Sequence, residues 1–533
     1  MNLPELDDPR VASISVGDAG YPARPPFHPA APYPELRRLR GGSAPSLAEA
    51  GGNAVYEAVR ELFRRLEMDG PRFGSIDWNP LGEVIRPGET VVVKPNWVKE
   101  SHLLRPDDWE EVITHPSVIR AVVDYALLAL GESGRIIITD GPQTDSSFRK
   151  IVQRTSMGAL IDHWRSLGLG PDVELLDLRQ EEHLTRDGVI VRRTRLEGDP
   201  LGYVEYDLGE GSELVGHKGR YFGACFDMDE TNRAHSGGVH RYRISGTVAH
   251  ADVVLNIPKM KTHKKCGITA SLKNMVGING WKNFLPHHSE GTPRMGGDQF
   301  PDDSLKGVLE YHLMGRFKAF INRCPDGVAA VLRHLKKPGR AAFGDTEEVV
   351  RSGNWYGNDT IWRMVLDLNK LLLYGDRHGE LRSKPVRRYF SIVDGIVAGE
   401  GNGPMCPEPV AAGRLIGGRN AVAVDQVCAV EMGLDPRKIP SIDRARACRT
   451  FPLARFDAGE VSIVRGSGAT EPTWTVDPAR KYRFVPHFGW AGHVELEGPI
   501  GPEGFAGPVR HEAGTSRSSA GLLSATSGEG DFG

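Results

Sequence analysis

Four short, predominantly apolar runs constrain the fold most: Val91-Val92-Val93, Ile136-Ile137-Ile138, Val253-Val254-Leu255-Asn256-Ile257 and Phe390-Ser391-Ile392-Val393. Runs this short, apolar on both alternating faces, suit strands buried on both sides of a parallel sheet. Segments with helical periodicity lie between them, at about 117–130, 148–167 and 360–373, and after the last of them, at about 421–432, and a fifth strand is expected at about 173–176. The predicted class is α/β, a mostly parallel sheet with flanking helices, interrupted by β-rich and helical insertions.

The organisation expected around this pattern has four parts. Residues 1–85 read as an N-terminal extension with one amphipathic helix near 47–68, in which Val55, Val59, Leu62 and Leu66 recur at helical spacing. Residues 86–455 read as the core, with insertions at about 179–250 and 286–356. A β-rich segment at 456–510 and a Gly- and Ser-rich tail at 511–533 complete the chain.

Charge excludes some partners. With 66 Lys+Arg against 69 Asp+Glu, the chain has a net charge of -3 and no global basic field for nucleic acid. The opening segment carries Glu5, Asp7 and Asp8 where a secretory signal needs cations, and no apolar run approaches the roughly 18 residues that span a bilayer, so a cytoplasmic protein with no membrane span is expected. The six cysteines are scattered without a Cys-x-x-Cys pair, which leaves no iron-sulfur cluster motif in the chain.

Against this neutral background one segment stands out. Pro258-Lys259-Met260-Lys261-Thr262-His263-Lys264-Lys265-Cys266 leads on to Lys273-Asn274, and between Lys259 and Ser289 there are six lysines and no Asp or Glu. A loop of lysines after a strand, opening a helix at the carboxyl edge of a sheet, can hold phosphate or carboxylate. Lys94-Pro95-Asn96, Asp140-Gly141 and Asp394-Gly395 followed by Glu400 occupy equivalent strand ends. Lys94, Asn96, Lys259, Lys273 and Asn274 are therefore candidates for substrate binding, and His263, Lys261 and Asp394 for catalysis. Asp140, Asp394 and Glu400 could bind a divalent metal.

Six further features have other readings. Thr144-Asp145-Ser146-Ser147 could cap the next helix, and Asp425 reads as complementing a helix dipole, the alternative being that it faces the same cleft. His287-His288 read as a surface loop, and Cys266 reads as an inert thiol, the alternative being a thiolate stabilised by its two neighbouring lysines. The basic stretch 316–340 reads as a charged helical face. The glycines from Gly399 to Gly403 end in Pro404 with no helix opening, which argues against a dinucleotide fingerprint.

Val93-Lys94-Pro95-Asn96, His115-Pro116-Ser117-Val118, Asp140-Gly141, the lysine and histidine run with Lys273-Asn274, and Asp394-Gly395 through Gly403-Pro404 together resemble the family of domain of unknown function 362, over roughly 88–435. Many members are described as iron-sulfur proteins with an attached ferredoxin-like cysteine cluster, which this chain lacks. The resemblance leaves three functions open. One is an enzyme acting on an anionic small molecule, with or without a metal. The second is a redox accessory partnering an iron-sulfur protein, and the third is a noncatalytic binding module.

Overall fold

The computed structural model describes residues 6–17, 20–40, 53–186, 189–224, 227–303, 349–350, 352–465, 469–473 and 482–498. Its centre is a 12-stranded sheet. The first seven strands are β1 (Arg10–Ser15), β2 (Thr90–Pro95), β3 (Arg135–Asp140), β4 (Asp172–Asp177), β5 (Val253–Ile257), β6 (Lys259–His263) and β7 (Gly267–Thr269). The last five are β8 (Arg388–Asn402), β9 (Cys406–Val410), β10 (Arg414–Gly418), β11 (Ser462–Arg465) and β12 (Ala469–Pro472).

Strands run in the order β12-β11-β1-β10-β8-β5-β2-β3-β4, with β6, β7 and β9 paired off this path around β8. The half from β4 to β8 is parallel, with Val91 beside Ile136 on one side and Val253 on the other. The chain lays β3 and β4 on one flank of β2, then crosses to lay β5 and β8 on the other. The winding therefore reverses between β2 and β5, the place where open α/β sheets leave a crevice beyond their strand ends.

Alternation along each strand divides the core in two. Val91, Val93, Val253, Leu255, Phe390 and Ile392 pack on one face with Val59 and Leu62 of helix α1 (Ala54–Arg65) and Val122 and Leu127 of α2 (Pro116–Leu130). Val92, Val254 and Val393 face the other way, toward Leu368 and Leu372 of a helix at Ile361–Tyr374 and Val427 of one at Ala421–Glu431. Each such fully buried aliphatic side chain contributes about 1.5–3 kcal/mol.

Several expectations are revised. The first helix begins at Ala54, where the Asn53 side chain accepts from the Val55 amide. The helix expected over 148–167 is two, Phe148–Arg154 and Met157–Ser166, separated by Ser156 at φ 54. The segment before residue 85 is no appendage: β1 lies inside the sheet, antiparallel to β10 and parallel to β11. The sheet thus joins the N-terminal segment, the core and the segment after 456. The basic stretch 316–340 and the tail 511–533 lie outside the described residues.

The β-rich insertion is present as antiparallel pairs Glu181–Arg186 with Val189–Arg195 and Tyr203–Asp207 with Arg241–Ser245. Its strand Tyr221–Gly223 pairs with Pro286–Ser289, so the two insertions meet. Together they cover the crevice.

Candidate functional site

A cavity of about 410 Å³ opens beyond the carboxyl ends of β2 and β3, where the winding reverses. Its floor is built from Asn96, Asp140-Gly141, Lys261, His263, Lys273 and Asn274, and its roof from Thr185, Gly223, Leu285 and His287 of the insertions.

The segment read as a lysine loop is a strand. β6 is buried throughout, parallel to β8 with Lys259 beside Asp394, and forms a hairpin with β7. A buried ammonium must find acceptors. Lys259 Nζ donates to Asp394 Oδ2 at 2.9 Å and to Tyr21 Oη at 2.7 Å, and the His115 amide donates to the same carboxylate oxygen at 2.9 Å. Lys259 and Asp394 thus satisfy each other behind the cavity rather than in it. Lys261, whose ammonium bonds the Val112 carbonyl, is held well below the ordinary lysine range by burial and by Lys259.

Under the floor lies a polar lattice. Lys94 Nζ sits 2.7 Å from Asp140 Oδ1, both fully buried, while Asp140 Oδ2 accepts from the Trp97 amide at 2.7 Å. Asn96 Nδ2 donates to Asn274 Oδ1 at 2.9 Å, and Asn274 Nδ2 donates to Asn256 Oδ1 at 2.7 Å. These amides fix one another's orientation and leave Asn96 Oδ1, buried and without a partner among the described residues, at the cavity wall; Thr269 Oγ1 is a second such polar atom there. Gly277 explains why this packing closes. A Cβ at this position would lie 2.0 Å from Asp140 Oδ1 and 2.7 Å from Lys94 Nζ.

The cavity is electropositive. Lys261, Lys264, Lys265, Lys273 and Lys282 line it, and its acids are already bridged, Asp140 by Lys94 and Asp145 by Lys99 at 3.1 Å. Lys282 Nζ donates to the Gly141 carbonyl at 2.8 Å. The half-buried Lys273 ammonium has no hydrogen-bond or ion-pair partner among the described residues. Burial, reinforced by Lys94, lowers Lys273 to about 8, and burial lowers Lys282 to about 8.

A family model described as a domain of unknown function, DUF362, matches residues 91–195 and 201–430. The chain belongs to this family. Every cavity-lining residue named above falls within the matched DUF362 segments, whereas Tyr21 and β1 lie outside them. The chain is also similar to a thylakoid-associated protein of Synechocystis sp., at 23% identity over 385 residues, covering 70% of this chain and 75% of that protein.

For this DUF362 chain, then, the structure brings His263, Lys261, Asn96, Lys273, Asn274 and Asp140 to one cavity, with Lys94 just beneath. It does not bring the expected metal set together. Asp394 is held by Lys259, Glu400 accepts from the Val485 amide at 2.7 Å, and Asp140 is paired to Lys94. Among the described residues no group of three or more His, Cys, Asp or Glu side chains is placed to hold a metal ion.

The structure also decides the readings of Cys266 and Asp425. The Cys266 thiol is buried against Ser441 and pushed up by that burial, away from thiolate chemistry. Asp425 reaches beyond its own helix: it accepts from the Ser271 amide at 2.6 Å and the Leu272 amide at 3.0 Å, capping the short helix Ser271–Asn274 that carries Lys273 and Asn274.

One residue of the roof was missed. His287 and His288 were both expected on a surface loop; His287 lines the cavity, while His288 does not and is buried against Phe222, their rings stacked at 4.6 Å. Period-two alternation at 286–289 is the signal that could have separated them.

Proposed function

We propose that this DUF362 protein is an enzyme acting on a phosphorylated or carboxylated small molecule bound in the cavity. The observation that carries this reading is the unpartnered Lys273 ammonium among four other lysines, in an enclosure whose acids are already paired. An anion entering there would supply the counter-charge that burial has withheld from these lysines. The volume lies in the range of small-molecule sites, and strongly perturbed titratable groups in a cleft favour an active site over a passive one. Asn96 Oδ1 and Thr269 Oγ1 offer polar contacts for hydroxyl or amino groups of the ligand.

Each residue then has a task in this reading. Lys273 and Lys282 bind the anionic group, and Asn274 and Asn96 orient the ligand through the amide lattice. Asp140 holds Lys94 beneath the floor. Metal ligation is not part of the proposal, because Asp394 and Glu400 stand elsewhere.

The test is calorimetric titration with inorganic phosphate, pyrophosphate and succinate, in wild type and Lys273→Gln, followed by a turnover screen of phosphorylated and carboxylated metabolites. Binding of at least one probe that weakens about tenfold in the variant supports the reading. Equal affinities in both proteins would sink it.

A further inference from the structure

We propose that His287 is the proton acceptor of the cavity and His263 its neutral hydrogen-bond donor, so that the site removes an O–H or C–H proton from a bound phosphorylated or carboxylated molecule. This rests on the anion-binding reading above and adds the chemistry done on the anion.

The backbone assigns the two rings opposite tautomers. His263 Nδ1 accepts from the amides of Lys265 and Cys266, both at 3.1 Å. A ring nitrogen accepting N–H groups carries no proton, so the neutral His263 ring holds its proton on Nε2. His287 Nδ1 lies 2.9 Å from the Leu285 carbonyl, which can only accept. That nitrogen must carry the ring proton, and Nε2 of His287 is left with a lone pair. Both rings line the cavity, one on β6 and one on the strand Pro286–Ser289 of the covering insertion. One wall therefore presents a donor and another an acceptor.

The charged groups around His287 make its basicity depend on the ligand. Burial, then Lys265 and Lys273, and further Lys282, hold His287 well below the ordinary imidazole range, opposed by its bond to Leu285; burial and Lys273 do the same to His263. In the empty cavity both rings are thus neutral near pH 7. A bound anion offsets the lysine charges and raises the affinity of His287 Nε2 for a proton. The base is strengthened when there is something for it to act on.

The step balances without an oxidant or reductant. An X–H bond of the bound anion breaks, its proton passes to His287 Nε2, and the bonding pair stays on X. Where X is a carbon next to a carbonyl, the pair moves onto the carbonyl oxygen as an enolate. The Nε2–H of His263 and the nearby lysines then meet that charge. Return of the proton from His287 restores the neutral ring.

Long-range nitrogen-proton spectra of the full chain labelled with 15N-histidine would read both tautomers, with His263→Asn and His287→Asn used for assignment. Asn at 287 keeps a donor for the Leu285 carbonyl while removing the distal lone pair. The expected result is His263 protonated on Nε2, His287 protonated on Nδ1, and a His287 titration midpoint raised by about one pH unit or more under saturating sulfate. A His287 ring protonated on Nε2, or a midpoint unmoved by sulfate that demonstrably binds, would overturn the proposal. If sulfate, phosphate and succinate all fail to bind wild type, the anion-binding reading fails and the proton transfer built on it fails too; anion binding with the opposite tautomers overturns the proton transfer alone.

Discussion

An ammonium taken out of water loses several kcal/mol of hydration, and Lys273 meets that loss without an ion-pair partner among the described residues. Lowered from 10.5 to about 8, it disfavours the folded state while protonated, so stability of the empty protein should rise as pH climbs from about 8 toward 10.5. Lys273→Met should accordingly raise the stability of the ligand-free protein at pH 7 by about 1–2 kcal/mol, read by chemical denaturation, and weaken anion binding about tenfold. Asp425 has the opposite charge and the opposite sign. Burial raises it from 3.8 to about 7, so its contribution is present below about pH 4 and lost as pH rises through about 7. Asp425→Asn should flatten the decline in denaturation free energy between pH 4 and 7. At this scale the sequence displayed the density of lysines near His263, because a run of like charge is visible in one dimension. It hid the pairing of Lys259 with Asp394, 135 residues apart, and the separate roles of His287 and His288.

The lysine run forms a strand because β8 extends beyond the sheet core and offers it a parallel partner from Asp394 to Gly399. Read locally, Lys-Met-Lys-Thr-His has little of the apolar content expected of a buried strand, and tertiary pairing overrides that composition. The apolar runs behaved differently: β2, β3 and β5 were legible because their alternation fills both cores. Between these elements, packing at Gly277 is tight enough to carry a prediction. Gly277→Ala places a methyl group against Asp140 and Lys94 and should disrupt the buried pair, with a loss on the order of 3 kcal/mol in denaturation free energy and weakened anion binding. Unchanged stability in this variant would contradict the described contact of Gly277 with Asp140 and Lys94.

Across the whole molecule, the general geometry of an open α/β sheet puts the cavity where the winding reverses, and two insertions from distant parts of the sequence close over it. The α/β class was legible from strand and helix alternation; the place of β1 was not, since a six-residue strand paired to partners some 400 residues later leaves no local trace. Val11, Ala12 and Ile14 of that strand are buried, so removing residues 1–16 should open the sheet between β10 and β11 and yield aggregated or partly unfolded protein by size exclusion and near-ultraviolet circular dichroism. A truncated chain with native spectra would instead make the N-terminal segment dispensable. The central claim is that buried lysines at the reversal point hold an anion, and sulfate tests it most directly because its own charge does not change between pH 7 and 9.5. Calorimetric titration of wild type with sulfate should show one site per chain at pH 7, weakened at least about tenfold by pH 9.5 as Lys273 and Lys282 lose protons, and weakened about tenfold at pH 7 in Lys273→Met. Binding that is insensitive both to pH and to Lys273 would contradict the account.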